Sequence, residues 1–187
     1  MAKNILICGV GGQGTVLAAK VLSQAAVSTG QRVLSAETIG MAQRGGSVVS
    51  HVRIGDNIYS PLIPKGQADV IIAFETAEAV RNIDYLKKDG MVIVNKKIVQ
   101  PTTASLTGTA FSEQTMTDYL QSVAKTIAVD TEQACKDLQS SKVVNMVLLG
   151  AACKTGIISK AELKSAVELL VKPQFLELNY KALDYVL

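Results

Sequence analysis

Apolar residues recur along this chain with two different periods, and their alternation predicts strands and helices taken in turn. Ile5-Leu6-Ile7-Cys8 is a short continuous apolar run of the kind that forms a buried strand. Leu17, Ala18, Val21, Leu22 and Ala25 then fall on one helical stripe, with Lys20, Ser23 and Gln24 away from its centre, and Gly30 marks the stop. Residues 31–36 predict a second strand that ends at Glu37. Residues 48–54 alternate partly with period two, Gly55-Asp56-Asn57 supply turn chemistry, and residues 58–63 are apolar again, which predicts a β-hairpin. Residues 68–74 and 91–95 are further buried-strand runs, separated by a helix over 77–86 and a turn at 87–90.

Residues 96–114 are rich in threonine and glycine, include Pro101 and Gly108, and read as a long irregular connection. A helix over 116–124, a last strand over 126–130 and a short helix over 131–138, capped by Asp130 or Thr131, follow. Beyond these the pattern is helical throughout. Residues 143–155 are nearly all apolar and end at Gly156, and Ser159-Lys160-Ala161-Glu162 is a capping box opening a helix to about residue 171. Pro173 precedes a final helix over 174–187 that is apolar around more than half its circumference. One packed face needs less, so this helix or the apolar one at 143–152 is either clamped inside its own domain or meets another subunit.

With 187 residues, 48% of them hydrophobic, the chain has the material for one domain, 1–187, with a sizeable core. A net charge of +3 from 19 basic and 16 acidic residues is spread along the chain and argues against nucleic acid as the main partner. Cys8, Cys135 and Cys153 are odd in number, far apart and without C-x-x-C, against a disulfide scaffold, structural zinc or cluster ligation and in keeping with a reducing cytoplasm. The longest apolar run, interrupted by Asn145, is too short to cross a bilayer, and the amino terminus lacks a signal-peptide plan. A cytoplasmic protein without membrane contact is expected.

The candidate chemistry sits between the first strand and the first helix. Gly9-Val10-Gly11-Gly12-Gln13-Gly14 carries G-x-G-x-x-G spacing: Gly9 for the turn, Gly11 for close approach of a phosphate or backbone, Gly14 for tight packing of helix on strand. The free N–H groups of the helix then face an anion. With Glu37 about 20 residues beyond the glycines, the unit has the dinucleotide fingerprint. The expected fold is α/β: a Rossmann-like open, mostly parallel sheet with an inserted β-hairpin and a helical C-terminal segment. Residues 38–47 form a loop in which Gly45 and Gly46 either make a positive-φ turn or, with Arg44 as a forked cation, a second anion nest. His51, the one histidine, is either an acid/base or a strand residue of the surface or core. Glu75 and Thr76 follow a strand and share the rim of the glycine turn, Thr76 in place to cap a helix.

No G-x-S-x-G, H-E-x-x-H, G-x-x-x-x-G-K-[ST] or thiamine fingerprint occurs. The residues describe a phosphate-binding module that supports chemistry located elsewhere. Gly9-Val10-Gly11-Gly12-Gln13-Gly14, Glu37, Gly40-Met41-Ala42-Gln43-Arg44-Gly45-Gly46-Ser47, and Ala68-Asp69 with Glu75 beyond resemble the gamma subunit of 2-oxoacid:ferredoxin oxidoreductases. The M-A-Q-R-G-G-S wording is most similar to the small beta subunit of indolepyruvate:ferredoxin oxidoreductases.

That resemblance implies oxidative decarboxylation of a 2-oxoacid to an acyl-CoA with reduction of ferredoxin, and a larger partner subunit or subunits holding thiamine diphosphate and iron–sulfur clusters. It makes this chain an accessory subunit, with no catalytic residue or metal site of its own. Gly11, Gly12, Gln13 and Gly14 would offer backbone donors to a coenzyme A phosphate or a partner carboxylate, and Arg44 a bidentate contact. Two other readings stay open: a stand-alone dinucleotide-dependent dehydrogenase with Glu37 on the ribose, and a purely structural subunit whose glycines only permit close packing.

Overall fold

The computed structural model describes residues 2–39, 46–100 and 112–185. The apolar run forms β1 (Lys3–Val10), whose Ile5, Leu6, Ile7 and Cys8 are fully buried, and the glycine turn leads into α1 (Thr15–Ser28). β2 (Val33–Ile39) and β3 (Ser47–Ile54) follow, then β4 (Ala68–Ala73), α2 (Thr76–Arg81) and β5 (Leu86–Asn95). The remainder is α3 (Glu113–Val123), β6 (Lys125–Val129), α4 (Thr131–Asp137), α5 (Val144–Ala152), α6 (Lys160–Leu170) and α7 (Leu176–Asp184).

One six-stranded sheet has the order β2-β3-β1-β4-β5-β6. The pairs β1–β4, β4–β5 and β5–β6 are parallel, and β3 runs antiparallel to both β1 and β2. The inserted hairpin is therefore real, but its strands are β2 and β3. Residues 58–63 do not pair with 48–54, because β3 is already hydrogen-bonded along both edges. Side chains satisfy that segment instead: Arg53 donates to the carbonyls of Ser60 and Leu62, and Ile63 N–H donates to His51 Nδ1 at 3.2 Å. Ile58 and Ile63 anchor it in the core while Tyr59 stands 87% exposed.

Side chains alternate across β1, and each face meets a different core. Ile5 and Ile7 pack with Leu22 of α1, Leu148 of α5, Leu163 of α6 and Leu183 of α7. Leu6 and Cys8 join Ile71, Val92, Ala79 of α2 and Leu120 of α3 on the other face. The apolar helix expected at 143–152 is covered within this chain: residues 145–152 of α5 are buried, and a Cβ on Gly150 would lie 2.3 Å from the Leu183 carbonyl oxygen of α7. The capping box at Ser159 and Glu162 is present. Glu75, not Thr76, caps α2: its carboxylate accepts the Glu78 N–H, while the Thr76 hydroxyl donates to the carbonyls of Asn95 and Lys97.

Candidate anion site at the first turn

Position φ angles and contacts redistribute the roles of the turn glycines. Gly12 and Gly14 hold φ of +98° and +90°, so these two make the turn. Gly9 is the close-packing position: a Cβ there would lie 2.7 Å from Gln13 Oε1, 2.8 Å from Phe74 Cβ and 2.9 Å from Thr15 Cγ2. A Cβ on Gly12 would meet nothing within 4 Å among the described residues.

The backbone donors divide in the same way. Gly11 N–H donates to the Gly46 carbonyl at 2.9 Å, and Gln13 N–H to the Val10 carbonyl at 3.2 Å. Gln13 also folds its side chain back, Oε1 accepting the Val10 N–H at 2.8 Å. Two of the four donors expected for a ligand are thus already engaged. Those of Gly12 and Gly14, followed by the first turn of α1, have no partner among the described residues, and Gly14 gives α1 no side-chain cap. A helix of 14 residues with an uncapped amino end presents partial positive charge to whatever lies in front of it.

In front of it lies a cleft of about 540 Å³ lined by Gly11, Gly12, Gly14, Thr15, Val16, Leu17, Lys20 and Val48. Lys20, one turn along α1 from Val16, is the cation of this cleft among the described residues, a role its place off the apolar stripe did not reveal. Glu37 is not brought to it. β3 lies between β2 and β1, setting their axes about 10 Å apart at ordinary strand spacing. Glu37 lines a neighbouring pocket of about 230 Å³ with Ser23, Ser35 and Leu170, which among the described residues shares Lys20 with the first cleft. Arg44 and Gly45, with the rest of residues 40–45, lie outside the described residues. Gly46 is at the site through its carbonyl on Gly11.

Behind the turn two carboxylates are 1% exposed. Glu75 accepts the N–H groups of Glu78 at 2.7 Å and Val99 at 3.0 Å, and burial raises its pKa above the ordinary value. Glu75 is thus a buried fastener rather than a rim residue open to ligand. Glu78, which the sequence pattern did not single out, is paired with Arg81 and accepts the Ser47 hydroxyl at 2.6 Å. Ser47 and Gly46 therefore tie the start of β3 to α2 and to the glycine turn. Burial, then the charges of Glu78 and Glu75, push the Cys8 thiol far up, so it is no nucleophile. His51 is buried, accepts the Ile63 N–H, and has its pKa lowered by burial: a neutral core histidine.

Among the described residues no group of three or more His, Cys, Asp or Glu side chains could hold a metal ion. The cysteines sit apart on β1, on α4 and just after α5, which does not fit an iron–sulfur cluster. No helix among the described residues is long and apolar enough to cross a membrane.

Residues 4–187 match the family model described as pyruvate ferredoxin/flavodoxin oxidoreductase. The chain is 39% identical to the indolepyruvate oxidoreductase subunit IorB of Pyrococcus horikoshii, over 97% of this chain and 92% of that one. It is 30% identical to the pyruvate synthase subunit PorC of Methanocaldococcus jannaschii, over 94% and 90%. Among solved structures, the keto/oxoacid ferredoxin oxidoreductase gamma subunit from Geobacter sulfurreducens superposes with a TM-score of 0.71 at 28% identity, covering 97% of this chain and 94% of that one.

Proposed function

The chain belongs to the pyruvate ferredoxin/flavodoxin oxidoreductase family, and from that membership we propose that it is, as a single gamma-type domain, the accessory subunit of a cytoplasmic 2-oxoacid:ferredoxin oxidoreductase. The complex converts a 2-oxoacid and coenzyme A to acyl-CoA and CO₂. The electron pair released leaves through iron–sulfur clusters to ferredoxin. Thiamine diphosphate and the clusters belong to the larger partner subunit or subunits, and indolepyruvate is the first acid to test, given three indolepyruvate oxidoreductase subunits that are 37–39% identical to this chain.

This chain's part is to hold coenzyme A by a phosphate. The observation that carries the reading is the uncapped amino end of α1, with the N–H groups of Gly12 and Gly14 beside it and Lys20 on the cleft wall. Arg44 adds a forked cation from the loop that follows β2. The dehydrogenase alternative is disfavoured because Glu37 stands two strands from β1, away from the cleft where a ribose would need it.

Gly12→Val in the assembled complex tests this. The added Cβ meets nothing within 4 Å among the described residues, so the chain stays folded, at a strain cost of about 1–2 kcal/mol for its φ of +98°. It shields the donors, and coenzyme A-dependent turnover is lost. Unchanged turnover at subsaturating coenzyme A would sink the reading.

A further inference from the structure

Asn145 is the one polar side chain of the otherwise apolar α5. It is 6% exposed, and its Oδ1 accepts the Met146 N–H at 2.9 Å, which fixes the orientation of the amide. Its Nδ2 lies 3.5 Å from where a Cβ on Gly14 would stand and has no hydrogen-bond partner among the described residues. Nδ2 is not sealed off: the buried side-chain polar atoms without a partner among the described residues are Ser23 Oγ and Ser50 Oγ, so this amide donor is open to an acceptor entering from outside the chain.

The same residue lines a cavity of about 190 Å³ whose apolar walls include Leu17, Val143, Val171, Phe175 and Leu178. Leu17 also lines the cleft in front of α1, so the two spaces adjoin across one side chain. About 190 Å³ is below the roughly 300 Å³ at which whole-ligand sites begin, and suits one ring system. Ser140, Lys142 and Asn179 complete the lining; the Asn179 Nδ2 already donates to the Phe175 carbonyl at 2.7 Å, which leaves the Asn145 amide, with the aliphatic walls and the aromatic ring, to meet a flat heteroaromatic group with a ring-nitrogen or carbonyl acceptor.

We infer that the ligand of this site is a nucleotide, with its phosphate at the amino end of α1 and its base in the Asn145 cavity, where Nδ2 donates to an acceptor on the base edge. The inference rests on the anion reading above and extends it: Asn145 determines specificity, and Leu17 separates the two subsites. A partner-chain carboxylate at the turn would have no use for the cavity.

The test uses the full chain and two probes that share a diphosphate, ADP and pyrophosphate, titrated by calorimetry. Asn145→Asp keeps the acceptor for Met146 N–H and removes the donor, and Asn145→Leu removes both. Leu17→Trp obstructs the passage from a position that is 38% exposed, so the larger ring has room outside the core. ADP binds the wild type more tightly than pyrophosphate. In each variant the ratio of the two dissociation constants collapses by about fivefold or more, the factor carried by one hydrogen bond of about 1 kcal/mol. Taking the ratio cancels the uniform repulsion that the new aspartate exerts on both phosphates. A ratio unchanged in all three variants, with pyrophosphate still bound, overturns the inference and leaves the anion site standing. Failure of the wild type to bind pyrophosphate overturns both.

Discussion

Gly9→Ala isolates what the turn owes to packing, because this glycine is set by space and has no positive φ. The new methyl would sit within 3.0 Å of three heavy atoms: Gln13 Oε1, Phe74 Cβ and Thr15 Cγ2. Two of them cannot retreat. Phe74 is held to β1 by its N–H on the Cys8 carbonyl at 2.8 Å, and Thr15 is buried at the start of α1. Gln13 can swing away, but Val10 N–H then loses its acceptor, at about 1–3 kcal/mol. Overpacking against the fixed pair adds about 1–3 kcal/mol. The expected loss is about 2–6 kcal/mol, or roughly 5–15 °C in Tm for a chain of this length. Urea unfolding followed by circular dichroism reads it directly. A Gly9→Ala chain within about 0.5 kcal/mol of wild type would refute the claim that Gly9 exists for close approach of strand, turn and helix.

The other predictions concern the surroundings of the turn. Lys20→Ala weakens binding of coenzyme A several-fold, most at low salt, with Tm unchanged, since Lys20 is exposed; salt-independent affinity in both chains would remove it from the site. Ser47→Ala strips Glu78 of its hydroxyl donor and costs about 1–3 kcal/mol in urea melts, whereas a neutral result means the tie between β3 and α2 is not used. For Glu75 the sign follows from its raised pKa: between its ordinary 4.5 and the folded value only the native state holds the proton, so stability falls as pH rises. The stability difference between wild type and Glu75→Gln therefore changes with pH above 4.5, and a flat difference from pH 4.5 to 8 contradicts the burial effect. Gly150→Val drives a side chain into the Leu183 carbonyl and detaches α7, seen as early proteolytic cleavage after residue 170.

The hydrophobic pattern carried most of the architecture because period and burial are local. Ile5 to Cys8, the stripe from Ala18 to Ala25 and the capping box at Ser159 stand where the pattern placed them, whereas Leu17, put on the same stripe, is 38% exposed at the cleft. What it missed was non-local. Residues 58–63 have strand composition and follow a turn, yet the edge they would need on β3 is taken by β2, and nothing between 48 and 63 reveals that. The same insertion displaces Glu37: its distance along the chain from the glycines fits the fingerprint, but the intervening β3 moves it sideways. Spacing alone likewise could not tell that Gly11 and Gln13 spend their N–H groups internally. Lys20 and Asn145 did carry a signal, a cation one turn into the helix after the glycines and a lone amide in an apolar helix. Each gains meaning only once α1 and α5 are seen to meet at Gly14.

Amide resonances of the ¹⁵N-labelled chain, followed during titration with coenzyme A, test the central claim most directly. If the uncapped end of α1 holds a phosphate, the amides of Gly12, Gly14, Thr15 and Val16 shift together and saturably, while those of Gly11 and Gln13, bonded within the turn, move far less. Titration that leaves these amides in place, or that moves only residues near Glu37 on β2, would contradict the account.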